Sequence, residues 1–254
     1  MLDVQNVVVG DLNIAYRRTG AAGRNLVFVH GWASSSRMWE ATMRGLAEAG
    51  ACWALDLAGF GDSAKPLNGW YSIDNWARQV EQFIRQLEIE RPVVVGHSMG
   101  GMIALALAAG RPQLTAGIAL INPVVKGGNY RRARALLQSP LGRAVARIAA
   151  RAWPVVVSPP LADPLGVRSS RSASFERNRS DWARVRGDTA INAVRAVVEY
   201  DATACLPHIR VPTLVVLGDR DSTAPNSHGR LVAERVPGAQ LVCLHAGHLP
   251  TDDA

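Results

Sequence analysis

Short, continuously apolar runs alternate with helix-period runs along most of this chain, and that alternation restricts the fold more than any other feature. Leu26–Val29, Cys52–Leu57, Val93–Val95, Ala116–Ile121, Val211–Leu217 and Gln240–Leu244 read as strands. Met38–Ala49, Ser72–Leu87, Met99–Ala109 and Ser227–Arg235 read as helices; Ile73, Trp76, Val80, Phe83, Ile84 and Leu87 share one face of the second. A strand that is apolar at successive positions is buried on both sides, so these strands belong to a mostly parallel central sheet flanked by helices, an α/β architecture. Two further extended runs between Val4 and Arg18 flank Gly10-Asp11, a hairpin signal. The alternation stops after Asn122-Pro123. Residues 124–201 are helical or irregular, carry Pro154, Pro159, Pro160 and Pro164, and read as an insertion with Gly127-Gly128 as a hinge at its entry. Residues 1–123 and 202–254 form the core that it sits on.

A chain of 254 residues, 48% hydrophobic and 19% charged, folds without disulfides or metals and is not a disordered tail or a repeat protein. Cys52, Cys205 and Cys243 are far apart, with no zinc or redox spacing, and no His/Cys/Asp cluster has metal-ligand spacing. The amino terminus lacks a signal-peptide pattern and no segment reaches the length of a membrane span, so the expected location is the cytoplasm. Charge is uneven. Lys126 to Arg195 hold 14 Lys and Arg residues against four acids, a local excess of +10 in a chain of net charge +7. These arginines alternate with Ala, Leu and Val rather than with aromatics, which argues against nucleic acid as the partner.

Gly96-His97-Ser98-Met99-Gly100 follows a strand and opens a helix. In that context a G-x-S-x-G run is a nucleophile elbow: the serine takes a strained turn, its neighbours must be glycine to avoid clashes, and its hydroxyl projects above the sheet edge. A serine hydroxyl needs a base, and the base needs an orienting acid. Two loops at later strand ends offer them, Gly218-Asp219-Arg220-Asp221 and His245-Ala246-Gly247-His248. Either aspartate and either histidine satisfy the chain order Ser, acid, His. Gly59-Phe-Gly61-Asp-Ser-Ala64 imitates a dinucleotide loop, but Pro66 disrupts the helix that would cradle a pyrophosphate. His97 reads as packing, and His208 and His228 as surface residues. Trp70, Trp76, Trp153 and Trp182 read either as pocket lining or as core.

His30-Gly31-Trp32, Asp56-Leu-Ala-Gly59-Phe60-Gly61-Asp-Ser63, the serine elbow, Gly218-Asp-Arg-Asp221 and Gly247-His248-Leu-Pro250 together resemble an α/β-hydrolase of the esterase/lipase-like superfamily. The resemblance implies that Asp221 is the acid and His248 the base, with Asp219 and His245 shaping the loops. It implies backbone N–H groups of Trp32 and Met99 as oxyanion donors, with His30, Gly31 and Trp32 as a substrate-facing loop. His30 would hold that loop rather than react. The insertion would be a helical lid that sets acyl specificity, its stripe of Leu136, Leu137, Leu141, Val145 and Ile148 turned to the pocket or fastening the lid to the body, and its arginines turned to solvent. The implied reaction is hydrolysis of a small-molecule carboxylic ester through an acyl-enzyme, with no cofactor. Carbon–carbon bond hydrolases and cofactor-free perhydrolases share the triad, and a non-catalytic ligand-binding protein shares the fold. The H-G-W loop and the basic lid also resemble pimeloyl-carrier-protein methyl ester esterases, which implies an acidic acyl carrier protein as partner for Arg131, Arg132 and Arg134. The superfamily adds a C-terminal helix after the Gly-His-x-Pro turn, whereas this sequence has six residues beyond His248.

Overall fold

A computed structural model describes residues 1–21, 23–67, 69–127, 135, 139–156 and 173–253. Its centre is an eight-stranded sheet. The strands are β1 (Val4–Val9), β2 (Leu12–Thr19), β3 (Leu26–Val29), β4 (Cys52–Leu55), β5 (Val93–His97), β6 (Gly117–Ile121), β7 (Thr213–Gly218) and β8 (Gln240–Leu244), in the spatial order 1-2-4-3-5-6-7-8. β1 and β2 form the hairpin expected around Gly10, β2 pairs antiparallel with β4, and all later pairs are parallel. The parallel strands therefore all end at one rim, where open α/β sheets place their sites.

The helices are α1 (Glu40–Gly45), α2 (Ile73–Gln86), α3 (Met99–Gly110), α4 (Pro140–Arg151), α5 (Trp153–Val156), α6 (Ala173–Arg184), α7 (Gly187–Glu199), α8 (Asn226–Arg235) and α9 (Pro250–Asp253). The Ser72 hydroxyl caps α2 by accepting the Asn75 N–H, and Ile73, Trp76, Val80, Phe83 and Ile84 go into the core as their spacing requires. α3 is buried along nearly its whole length, which explains its small, apolar sequence. The helix expected over Met38–Ala49 is shorter: a 3₁₀ turn, Ser36–Trp39, leads into α1, which ends at Gly45.

The insertion leaves and rejoins the sheet through a closed neck. Lys126 and Asp201 pair as an antiparallel bridge, the Gly127 N–H donates to the Tyr200 carbonyl, and the Ala202 N–H donates to the Val125 carbonyl. A methyl group on Gly127 would lie 1.9 Å from the Val198 carbonyl oxygen, so this glycine permits close approach of two backbone segments; Gly128 lies outside the described residues. α4 packs on α7 in the same way, since a methyl on Gly187 would meet the Ala150 carbonyl at 2.0 Å.

That packing corrects the expected orientation of α4. Leu141, Val145 and Ile148 are exposed, because α4 turns its small residues toward α7 and its larger apolar residues outward. Leu136 and Leu137 lie outside the described residues, as do Arg131, Arg132 and Arg134. His228 is also corrected. It is 1% exposed, and its Nδ1 accepts the Val125 N–H at 3.3 Å, so it braces the neck of the insertion. Burial lowers its pKa. His208 is exposed, as expected. No helix among the described residues is long and apolar enough to cross a membrane.

Candidate active site

Ser98 stands where β5 turns into α3, with φ 53° and ψ −113°, a conformation that costs energy for any residue other than glycine. The neighbouring glycines are required by space. A methyl on Gly96 would lie 2.3 Å from the Gly100 carbonyl, and one on Gly100 would lie 2.2 Å from the Val29 carbonyl. The sharp turn and the pressure of α3 against β3 therefore explain both glycines of the motif. The main chain at the turn is held by the Ser98 N–H donating to the Ile121 carbonyl and the Val124 N–H donating to the Ser98 carbonyl.

Ser98 lines a cavity of about 200 Å³ with Trp32, Met99, Val124, Val194, Val197, Val198, Thr223 and Ala224. Among the described residues of the insertion, α7 supplies its apolar wall, and Leu141, Val145 and Ile148 of α4 do not line it. Of the tryptophans, only Trp32 lines the cavity. Trp76 is buried in the core, whereas Trp153 and Trp182 pack their rings against Trp32 at centroid separations of 6.1 and 6.4 Å.

The His30-Gly31-Trp32 loop lies beside the serine, as a methyl on Gly31 would meet the Ser98 Cβ at 3.2 Å and His97 Nδ1 at 3.1 Å. His30 is fully buried and anchors this loop. Its Nδ1 donates to the Gly31 carbonyl and its Nε2 accepts the Leu57 N–H, while burial lowers its pKa and keeps the ring neutral. The Trp32 indole donates to the Ala190 carbonyl of α7, joining the loop to the insertion. A second latch lies next to it. Ser35 donates to Asp181 of α6 at 2.7 Å, and Arg37 pairs with the same carboxylate at 3.2 Å. Burial raises the Asp181 pKa, opposed by the Ser35 hydroxyl and the Arg37 charge. Sequence reasoning missed this latch because its halves are separated by more than a hundred residues and neither belongs to a motif.

The loops after β7 and β8 bring Asp221 and His248 together. His248 Nδ1 donates to Asp221 Oδ2 at 2.7 Å, leaving Nε2 as the open nitrogen of the ring. The Asp221 carboxylate is 0% exposed, and its Oδ1 accepts the N–H groups of Thr223 and Ala224. Burial alone would push its pKa up, but the His248 hydrogen bond and charge and the two backbone donors outweigh that and hold it below the usual carboxylate range. No hydrogen bond joins the Ser98 hydroxyl to His248; such contacts are often long before substrate binds and tighten in the complex. The other two candidates, Asp219 and His245, pair with each other at 2.9 Å on the surface.

The arrangement holds one imidazole in a fixed tautomer, its ring centroid 4.7 Å from that of His97, the residue before a strained serine at the start of a helix. Met99 is the first residue of α3, so its N–H is among the first-turn amides that have no partner within the helix. Among the described residues no three His, Cys, Asp or Glu side chains gather to hold a metal. The Gly59–Gly61 turn holds a carboxylate where a dinucleotide loop would hold a phosphate. A methyl on Gly61 would strike the buried Asp56 side chain, whose oxygens accept the N–H groups of Ser36 and Asp62.

The family model of the alpha/beta hydrolase fold matches residues 24–254. A putative carbamate hydrolase, RutD, of Pseudomonas savastanoi pv. phaseolicola is 29% identical over 229 residues, covering 87% of this chain and 85% of that protein. Among solved structures, a hydrolase from Pseudomonas aeruginosa PA01 superposes with a TM-score of 0.80 at 27% identity, covering 99% of this chain and 93% of that one. The N-acyl homoserine lactone degrading enzyme Est816 superposes with a TM-score of 0.77 at 25% identity, covering 96% and 93%.

Proposed function

The chain belongs to the alpha/beta hydrolase family, and on that premise we propose that it is a serine hydrolase that cleaves a small carboxylic ester through an acyl-enzyme. Ser98 attacks the carbonyl carbon and His248 Nε2 takes the hydroxyl proton. Asp221 keeps the imidazole in the Nδ1–H tautomer and stabilises the imidazolium that forms. The backbone N–H groups of Trp32 and Met99 stabilise the oxyanion, assisted by the positive end of α3. His248 then gives its proton to the leaving alkoxide and activates the water that releases the acid. The single observation that carries this reading is the Asp221–His248 hydrogen bond, 2.7 Å, on a loop whose Thr223 and Ala224 line the same cavity as Ser98.

The helical insertion serves as a lid, and α7 is the part of it that meets substrate. Val124, Val194, Val197, Val198 and Ala224 offer no charge to a substrate, which favours esters with a compact apolar acyl group. A fluorophosphonate probe should label the wild type at Ser98 and leave Ser98→Ala unlabelled. A p-nitrophenyl ester panel should show kcat/KM highest for short acyl chains, and Val198→Phe should depress the longer ones first. Turnover of a ring-fission dienoate or a carbamate in preference to every ester of the panel would replace the ester reading. Absence of labelling would leave a ligand-binding protein.

A further inference from the structure

The position of the His248 ring depends on its own main chain as well as on Asp221, and two side chains from neighbouring strands hold that main chain. Asn122, directly after β6, donates from Nδ2 to the carbonyl oxygens of Gly247 at 3.0 Å and His248 at 3.1 Å. Its Oδ1 accepts the Gly218 N–H at 2.8 Å, at the start of the loop that carries Asp221. His97, the last residue of β5, donates from Nε2 to the same His248 carbonyl at 2.8 Å, with its ring centroid 4.7 Å from that of His248. A carbonyl oxygen has two lone pairs, and here two side chains occupy them.

Both residues carry marks of a demand beyond filling space. Asn122 is 1% exposed and has φ 42°, directly before Pro123, where extended backbone is the norm. Asparagine is one of the few residues that tolerates this conformation, and only there does its amide reach three backbone groups on two loops. His97 is 4% exposed, and among the described residues its Nδ1 has no hydrogen-bond partner and the bond to His248 is the one that its ring makes. Burial together with the nearby His248 imidazole lowers the His97 pKa to about 3, which keeps the ring neutral and its Nε2–H in place.

We propose that Asn122 and His97 are positioning residues for the base: together they fix the His248 main chain through its carbonyl, and Asn122 ties the Asp221 loop to the same point through Gly218. The proposal rests on the serine-hydrolase reading above. Substitutions separate a hydrogen-bonding role from a packing one. His97→Phe keeps a ring and removes the donor, whereas His97→Gln restores an N–H donor without the ring. Asn122→Asp keeps the acceptor for Gly218 and replaces the donating amide by a carboxylate that faces two carbonyl oxygens.

Fluorophosphonate labelling rates at Ser98 and steady-state kinetics on a short p-nitrophenyl ester test this, with thermal melts to establish folding. His97→Phe and Asn122→Asp should each lower kcat and the labelling rate by about 10- to 100-fold with KM within about twofold, the signature of a misplaced base. His97→Gln should recover most of that loss, and the double variant should lose less than the product of the single losses because both act on one carbonyl. Wild-type labelling in His97→Phe and Asn122→Asp, or a His97→Gln no better than His97→Phe, overturns the proposal while leaving the serine-hydrolase reading intact. An unlabelled wild type overturns that reading, and this proposal with it. If Asn122→Asp does not fold, the Phe and Gln variants of His97 still decide.

Discussion

The same two loops hold two acid–imidazole pairs, Asp221 with His248 and Asp219 with His245, whose bond lengths differ by little: 2.7 and 2.9 Å. Their surroundings differ completely. The Asp221 and His248 side chains are 0% and 20% exposed, whereas those of Asp219 and His245 are 50% and 66% exposed. Asp221 has two backbone donors besides its histidine, and the His248 carbonyl is held by Asn122 and His97. The hydrogen bond from His245 lowers the Asp219 pKa, but water and salt screen an exposed pair. A hydrogen bond of good length is therefore not what marks the pair proposed as catalytic. Burial and backbone support do, on a loop whose Thr223 and Ala224 reach the cavity of Ser98.

Substitutions at the two pairs give the largest contrast. Ser98→Ala or His248→Ala should lower kcat on the best ester by about 10⁴- to 10⁶-fold, with His245→Ala within about twofold of wild type, as read by steady-state kinetics. Equal losses in the two histidine variants would break the comparison. Asp221→Asn should cost about 10³- to 10⁴-fold, because the amide can hold the ring in the wrong tautomer, and Asp219→Asn should leave kcat near wild type.

Acid titration of stability sharpens the same contrast. Asp221 has a lower pKa folded than unfolded, so its contribution is complete above the unfolded carboxylate value, near pH 4, and is lost as pH falls through the lower folded value. Urea midpoints followed downward from neutral pH should fall less steeply in Asp221→Asn than in wild type, while Asp219→Asn, whose pair is exposed and screened, should flatten the curve less. A smaller effect is expected at the insertion latch. Asp181→Ala leaves the Ser35 hydroxyl and Arg37 without their acceptor and should cost about 1–3 kcal/mol in a urea melt. The accompanying rise in KM should exceed the loss in kcat if the latch mainly holds the acyl wall.

Where a residue is forced by its immediate neighbours, the sequence alone determined the outcome. Gly96, where a methyl would strike Gly100 four residues on, the strand β3 and the Ser72 cap of α2 answer local steric or hydrogen-bonding demands and stand where the one-dimensional pattern put them. Gly100 instead answers to Val29 of β3, and β8, expected to be buried on both sides, is exposed along its length. The two aspartate and two histidine candidates were also visible as residues, though residue type and spacing alone left both pairs open. Only the tertiary structure decided which pair is buried, that α7 rather than α4 supplies the cavity wall, that His228 lies inside, and that Asn122, Asp181 and the Trp32 indole each join distant segments. Periodicity states that a helix has an apolar face, but not which surface that face will meet. That choice is made by close approaches such as Gly187 against Ala150, between residues that have no relation along the chain.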